Sequence, residues 1–199
     1  MAQKTAIMTR EAAWQLLTEY TKSESLLRHA LAVEASMREY ARRFGEDEEK
    51  WGIVGLLHDF DYERWPDPAD HPLRGAAILE ELGYPEDVIY AIKSHADYLN
   101  LPRVDKMSKT LYAVDEMSGF VMAVALVRPN RSIFEVEVSS VKKKMKSPGF
   151  ARAISREHLI KGAEELGVDL DDHIATVIRA LQRVADQLGL AGTAAASEA

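Results

Sequence analysis

His58 and Asp59 stand side by side at the end of an apolar run, Ile53-Val54-Gly55-Leu56-Leu57, and a polar segment with Asp61, Glu63, Arg64, Asp67 and Asp70 follows. Neighbouring imidazole and carboxylate groups at the end of a buried helix can seat a metal ion. The packed helix fixes the backbone, and the loop beyond leaves an open face for substrate. Taken alone, the dipeptide reads more simply as a helix-terminal His beside a solvated Asp. It has company, however. His29 lies in Leu26-Leu-Arg-His-Ala-Leu-Ala-Val33, and His71 opens His71-Pro-Leu-Arg-Gly-Ala-Ala-Ile-Leu79. His95 follows Ala91-Ile-Lys-Ser, and Asp115 lies in Leu111-Tyr-Ala-Val-Asp-Glu-Met117. Four imidazoles and two carboxylates exceed the needs of one closed tetrahedral ion. They suit two ions that share a carboxylate and keep positions open for water and substrate. Two ions about 3.5–4 Å apart can clamp an oxyanion and generate a hydroxide, and hydrolysis of a phosphate ester needs both.

The elements that must position these residues read as helices throughout. Residues 11–20 form a short helix with Trp14 and Leu17 on one face. Thr21-Lys-Ser-Glu24 has the capping-box pattern and opens a long helix to about Phe44, stopped by Gly45. Leu26, Leu27, Ala30, Leu31, Val33 and Met37 give that helix a broad apolar face, with His29 on or beside it. Asp47 opens the helix that ends at His58-Asp59. Pro66 and Pro68 interrupt the loop beyond, and Pro72 opens a helix that Gly83 ends. Pro85 opens another that ends near His95, and Asp105 or Ser108 caps the helix carrying Asp115. Val136, Val138 and Val141 alternate, but a lone strand has no partner, so irregular chain or a short helix is expected. Ser147-Pro148 has the form of a cap with Pro at the first helical position, residues 155–166 form a helix closed by Gly167, and Asp169 opens a final helix to about Leu188.

Composition narrows the chemistry. The chain has 199 residues, 47% hydrophobic and 29% charged, enough for one globular domain with a core. It has no cysteine, so any metal must be held by His and carboxylate, which suits iron, manganese, magnesium or zinc. A net charge of −7 argues against a long nucleic acid as partner. No apolar run approaches membrane-spanning length, and residues 1–10 lack the apolar stretch of a secretory signal. A cytoplasmic protein without membrane contact is therefore expected. Exposed faces of the long helices could support a homodimer, although the core explains their apolar stripes equally well.

The order His … His-Asp … His … His … Asp, each member beside a helical apolar run, resembles the HD superfamily of metal-dependent phosphohydrolases over about residues 23–120. The resemblance implies an all-α HD-domain bundle with a helical C-terminal extension over about residues 121–190. Together these would make a single domain of residues 9–190, with 1–8 and 191–199 disordered. It implies that His29, His58, Asp59 and Asp115 hold one divalent ion, that Asp59 bridges, and that His71 and His95 hold a second, as in binuclear members. Asp59 and His58 would then be the catalytic pair, with a metal-bound hydroxide as nucleophile and a small phosphorylated metabolite or nucleotide as substrate. Many members follow His-Asp with Ile-Gly and a phosphate-binding Lys, but Phe60-Asp61-Tyr62 stands here. Arg74, Lys93, Arg128 and the lysines of 142–146 are the candidates to replace that Lys, the lysines reading more simply as a solvated run. Gly83-Tyr84-Pro85 precedes His95-Ala96, unlike the cyclic-dinucleotide branch, in which a His-His pair precedes Gly-Tyr-Pro. Two other outcomes use the same ligand set: a diiron oxygenase of the superfamily, and a regulatory module that binds metal or ligand without turnover. His158 and His173 read as structural or exposed, Asp61 and Asp97 as open to solvent, and Glu116 as solvent-facing by default.

Overall fold

Seven consecutive residues, Trp51 to Leu57, are buried, so the helix they form is apolar all round and must lie inside the molecule. A computed structural model describes residues 8–193, and the all-α fold is built around that helix. Among the described residues there are ten α-helices and no strand. α1 spans Arg10–Tyr20 and α2 Glu24–Phe44. The buried helix is α3, Glu48–Leu57, capped by the Asp47 side chain. α4 (Leu73–Glu81) and α5 (Glu86–Ser94) follow, then a 3-10 turn at Asp97–Leu99. α6 (Lys106–Leu126) is the second long helix, capped by Asp105. α7 (Val138–Met145), α8 (Arg156–Leu166), α9 (Leu170–Arg183) and α10 (Ala185–Leu188) complete the chain.

α2 is the hub: it packs on α3, α6 and α9, while α6 also receives α5 and α8. Met37 and Tyr40 of α2, Leu56 and Leu57 of α3, and Leu111, Met117 and Phe120 of α6 are fully buried in one core. Each such side chain contributes about 1.5–3 kcal/mol. Gly55 allows a close approach of α3 to the α2 backbone. A Cβ there would lie 2.9 Å from the Val33 carbonyl oxygen and 3.0 Å from the Glu34 Cα. That approach sets the end of α3, and so His58, against α2.

Several boundaries differ from the sequence reading. Ser23, not Thr21, caps α2; the Thr21 hydroxyl instead donates to the Phe60 carbonyl, tying the chain before α2 to the loop after α3. Gly45 ends α2 in the left-handed conformation, as its position suggests. Ser147-Pro148 opens no helix: residues 147–154 are turns, whose carbonyls at Ser147, Phe150, Ala151 and Ile154 accept from the Arg156 guanidinium. The last helix breaks at Val184 into α9 and α10. The short helix expected near Val141 is α7. Thr193 donates to the Asn130 carbonyl. Residues 1–7 and 194–199, which cover most of the segments read as disordered, lie outside the described residues.

Candidate metal centre

Three imidazoles have one ring nitrogen fixed by a hydrogen-bond acceptor. His58 Nδ1 donates to the Gly55 carbonyl one helical turn back (2.7 Å), and His95 Nδ1 donates to the Ile92 carbonyl in the same way. His71 Nδ1 donates to Asp61 Oδ1 (2.7 Å), and Asp61 Oδ2 accepts from the Gly75 backbone N–H (2.8 Å). Carbonyl and carboxylate oxygens only accept, so Nδ1 carries the proton in each ring and Nε2 of the neutral ring is a lone-pair donor. All three Nε2 atoms face Asp59. His71 and His95 lie 3.2 and 3.1 Å from Oδ1, and His58 lies 3.2 Å from Oδ2.

On the Oδ2 side, Asp115 from α6 and His29 from α2 complete the group. Asp115 Oδ1 is 3.2 Å from His58 Nε2 and 3.0 Å from His29 Nε2, and the two imidazole nitrogens approach to 3.3 Å. Two sets of atoms therefore converge: His29, His58, Asp59 and Asp115, and Asp59, His71 and His95, each within 4.8 Å of one another. The carboxylate of Asp59 belongs to both. Every metal-site residue expected from the sequence is in this cluster.

So many acceptors cannot face one another without cations between them. Burial opposes charge on His58, but Asp59 and Asp115 outweigh it and hold its pKa well above the ordinary imidazole value. Burial likewise opposes charge on His71, yet its bonds to Asp59 and Asp61 raise its pKa to about 9. Burial works against ionised Asp59 too, but His58, His71 and His95 hold its pKa well below the carboxylate range. Protons on the rings thus fill the role a metal cation would take, and the donor set fits a divalent ion of the borderline kind.

Comparison with known proteins agrees with this geometry. Residues 26–118 match the HD domain family. That segment, just under half of the chain, is an HD domain. HD domains form a superfamily of metal-dependent phosphohydrolases that bind divalent metals. This HD domain is similar to Ribonuclease Y of Nitratidesulfovibrio vulgaris (strain DP4), 32% identical over 109 residues, which is 53% of this chain and 20% of that protein. It is also similar to Ribonuclease Y of Oleidesulfovibrio alaskensis, 28% identical over 106 residues with the same coverage of each. The chain thus spans about a fifth of the length of these curated relatives. No solved structure matches it.

A cleft of about 610 Å³ opens in front of the HD-domain cluster, with Asp59, His71, His95 and Asp115 on its floor. Its walls are Tyr62, Tyr98 and Tyr112, with Asp97, Glu116 and His158. The three cations picked from the sequence lie elsewhere. Arg74 is paired with Asp70 (2.9 Å), Lys93 lines a groove with Glu80 and Glu86, and Arg128 lines one with Lys143 and Lys144. No Lys or Arg lines the cleft among the described residues.

Three residues read as open or structural have positions that sequence reasoning missed. Asp61 is 1% exposed and supports His71. Asp97 sits in the cleft wall, bonded to Arg103 (2.9 Å) and Lys161 (3.0 Å). His158, from the first turn of α8, joins the wall beside Glu116. Nothing in the order of the motif marks His158, because α8 lies outside the matched segment. His173 is buried and structural, with Nε2 donating to the Ala113 carbonyl (2.8 Å) and Nδ1 accepting from the Tyr40 hydroxyl.

Proposed function

We propose that this HD domain is a binuclear metal-dependent hydrolase of a phosphate ester, acting on a small phosphorylated metabolite or nucleotide. The observation that carries the reading is the Asp59 carboxylate, which offers Oδ2 to the His29–His58–Asp115 group and Oδ1 to the His71–His95 group, beside an open cleft. Two divalent ions held there would supply the electrophile for the phosphoryl oxygens and lower the pKa of a water. The residues of the chain do the rest. The Gly55 and Ile92 carbonyls and Asp61 hold the rings in the tautomer that leaves Nε2 free. Asp59 sets the spacing of the two groups, and the tyrosine walls shape what can enter.

The lining also informs the choice of substrate. Asp97 and Glu116 stand in the walls and no Lys or Arg lines them, so the cleft has no cationic track for a polyanion. That favours a small ester anchored at the metal centre. The relatives named Ribonuclease Y support phosphoester hydrolysis as the reaction class, at a fifth of their length. The test is phosphate release from a panel of phosphomonoesters, nucleotides and small diesters. The chain would be loaded in turn with manganese, magnesium, zinc and iron. Turnover that a chelator abolishes and the ion restores is expected. Release from no ester with any ion, or oxygen uptake by the iron form in its place, would overturn the reading.

A further inference from the structure

His158 is the imidazole of the cleft that is not directed at Asp59. It sits in the first turn of α8, where the Ser155 hydroxyl accepts its backbone N–H (3.3 Å). Glu116 clamps this turn to α6: one carboxylate oxygen accepts the Ser155 N–H (3.2 Å) and the other faces His158 Nδ1 (3.4 Å). The Tyr112 ring lies against the imidazole, with centroids 5.9 Å apart. His158 Nε2 is 3.7 Å from Asp97 Oδ2, too far for a hydrogen bond, and Asp97 is already bonded to Arg103 and Lys161. The ring is thus oriented through Nδ1, while its Nε2 makes no hydrogen bond, and the ring lines the same cleft as Asp59, His71, His95 and Asp115.

We propose that His158 is a catalytic residue, the proton donor to the leaving oxygen of the ester. This rests on the phosphoester reading above. An alkoxide is a poor leaving group, and an imidazole is the side chain suited to give it a proton near neutral pH. Several other groups of the cleft are committed, and burial holds the unpartnered Tyr112 hydroxyl above the ordinary phenol pKa. His71 and His95 face Asp59, the Tyr98 hydroxyl donates to the His71 carbonyl, and both oxygens of Glu116 are occupied. In the step, water adds to phosphorus and loses one proton to solvent. The bond from phosphorus to the leaving oxygen breaks with its electron pair on oxygen. That oxygen takes the His158 Nε2 proton, and the ring is reprotonated from solvent. The products are an alcohol and phosphate. The charged and titratable groups facing the ring are Glu116 and Tyr112 from α6, and Asp97 from the 3-10 turn. Lys161, of its own helix, reaches Asp97.

The experiment compares two esters of similar shape, 4-nitrophenyl phosphate and 4-nitrobenzyl phosphate. The first leaves as a stable phenolate, and the second needs a proton. Metal-loaded parent, His158→Asn and His158→Gln would be measured, with thermal unfolding and metal content checked to match. The proposal expects kcat on the nitrobenzyl ester to fall about 10²–10⁴-fold in both variants, with the nitrophenyl ester nearly unaffected. It also expects the alkaline limb of the parent's pH profile on the nitrobenzyl ester to disappear. Equal losses on both esters, or no loss on either, would overturn the assignment while leaving the hydrolase intact. A parent inactive on both esters with every ion would sink the phosphoester reading and this proposal with it.

Discussion

Asp61 does for His71 what backbone carbonyls do for His58 and His95: it fixes the proton on Nδ1 and aims Nε2 at Asp59. Supports of this kind change metal affinity about 10–100-fold. Asp61→Ala is therefore expected to lower metal content selectively on the His71 and His95 side. Elemental analysis should show about two ions per chain falling toward one, whereas unchanged content would contradict the role. His71 also gives a pH prediction. Its metal-free pKa of about 9 means that an ion must displace a proton at neutral pH. Affinity should fall about tenfold for each pH unit below about 9 that this proton is retained, measurable by titration with a chelator as competitor. In the metal-free chain the sign is opposite. The raised pKa adds stability below about 6.5 that is lost as pH rises through about 9, so the metal-free midpoint should drift down over that window. The ligand-type residues were readable because their chemistry and order are distinctive. Asp61 was not, because a carboxylate in a polar run looks solvated until the fold buries it. His158 escaped for a different reason: an isolated imidazole at a helix start has no pattern to mark it.

At the scale of elements, the centre depends on how α3 ends against α2. Gly55 permits that contact, and a methyl group there would press on the Val33 and Glu34 backbone, which cannot swing aside. Gly55→Ala should cost about 1–3 kcal/mol of overpacking strain in urea unfolding. It should also reduce metal content, because His58 is the next turn of the same chain. A variant with parental stability would show that α2 and α3 can separate freely. The periodicity and stop signals made the helices themselves legible, including α3, α5 and α6, which deliver His58, His95 and Asp115. The caps were harder to read. Thr21 has the capping-box spacing to Glu24, yet Ser23 caps α2 and the Thr21 hydroxyl is drawn instead to the Phe60 carbonyl. Ser147-Pro148 has the composition of a helix start, but its segment is used to satisfy Arg156 instead.

Across the whole molecule, α8 and α9 close the core and are not a passive appendage. α9 lies on α2, and α8 carries His158 to the cleft. Gly162 brings α8 close to α6, where a Cβ would lie 2.8 Å from the Ala113 Cα. The joint of α9 with α2 and α6 is His173, whose burial lowers its pKa to about 4. Unfolding restores an imidazole near 6.5, so the unfolded chain binds more protons between those values and stability falls as pH falls from about 6.5 to about 4. The contribution is complete above that window and amounts to about 3 kcal/mol. The difference in unfolding free energy between the parent and His173→Gln should change by about this amount across the window, and a constant difference would contradict it. Whether Asp59 joins two ions is tested most directly by elemental analysis of protein purified without added metal, alongside Asp59→Ala. About two ions per chain in the parent, both lost in the variant, is the expected result. A single ion that survives the loss of Asp59, or no ion after reconstitution with iron, manganese, magnesium and zinc, would contradict a centre built on a shared carboxylate.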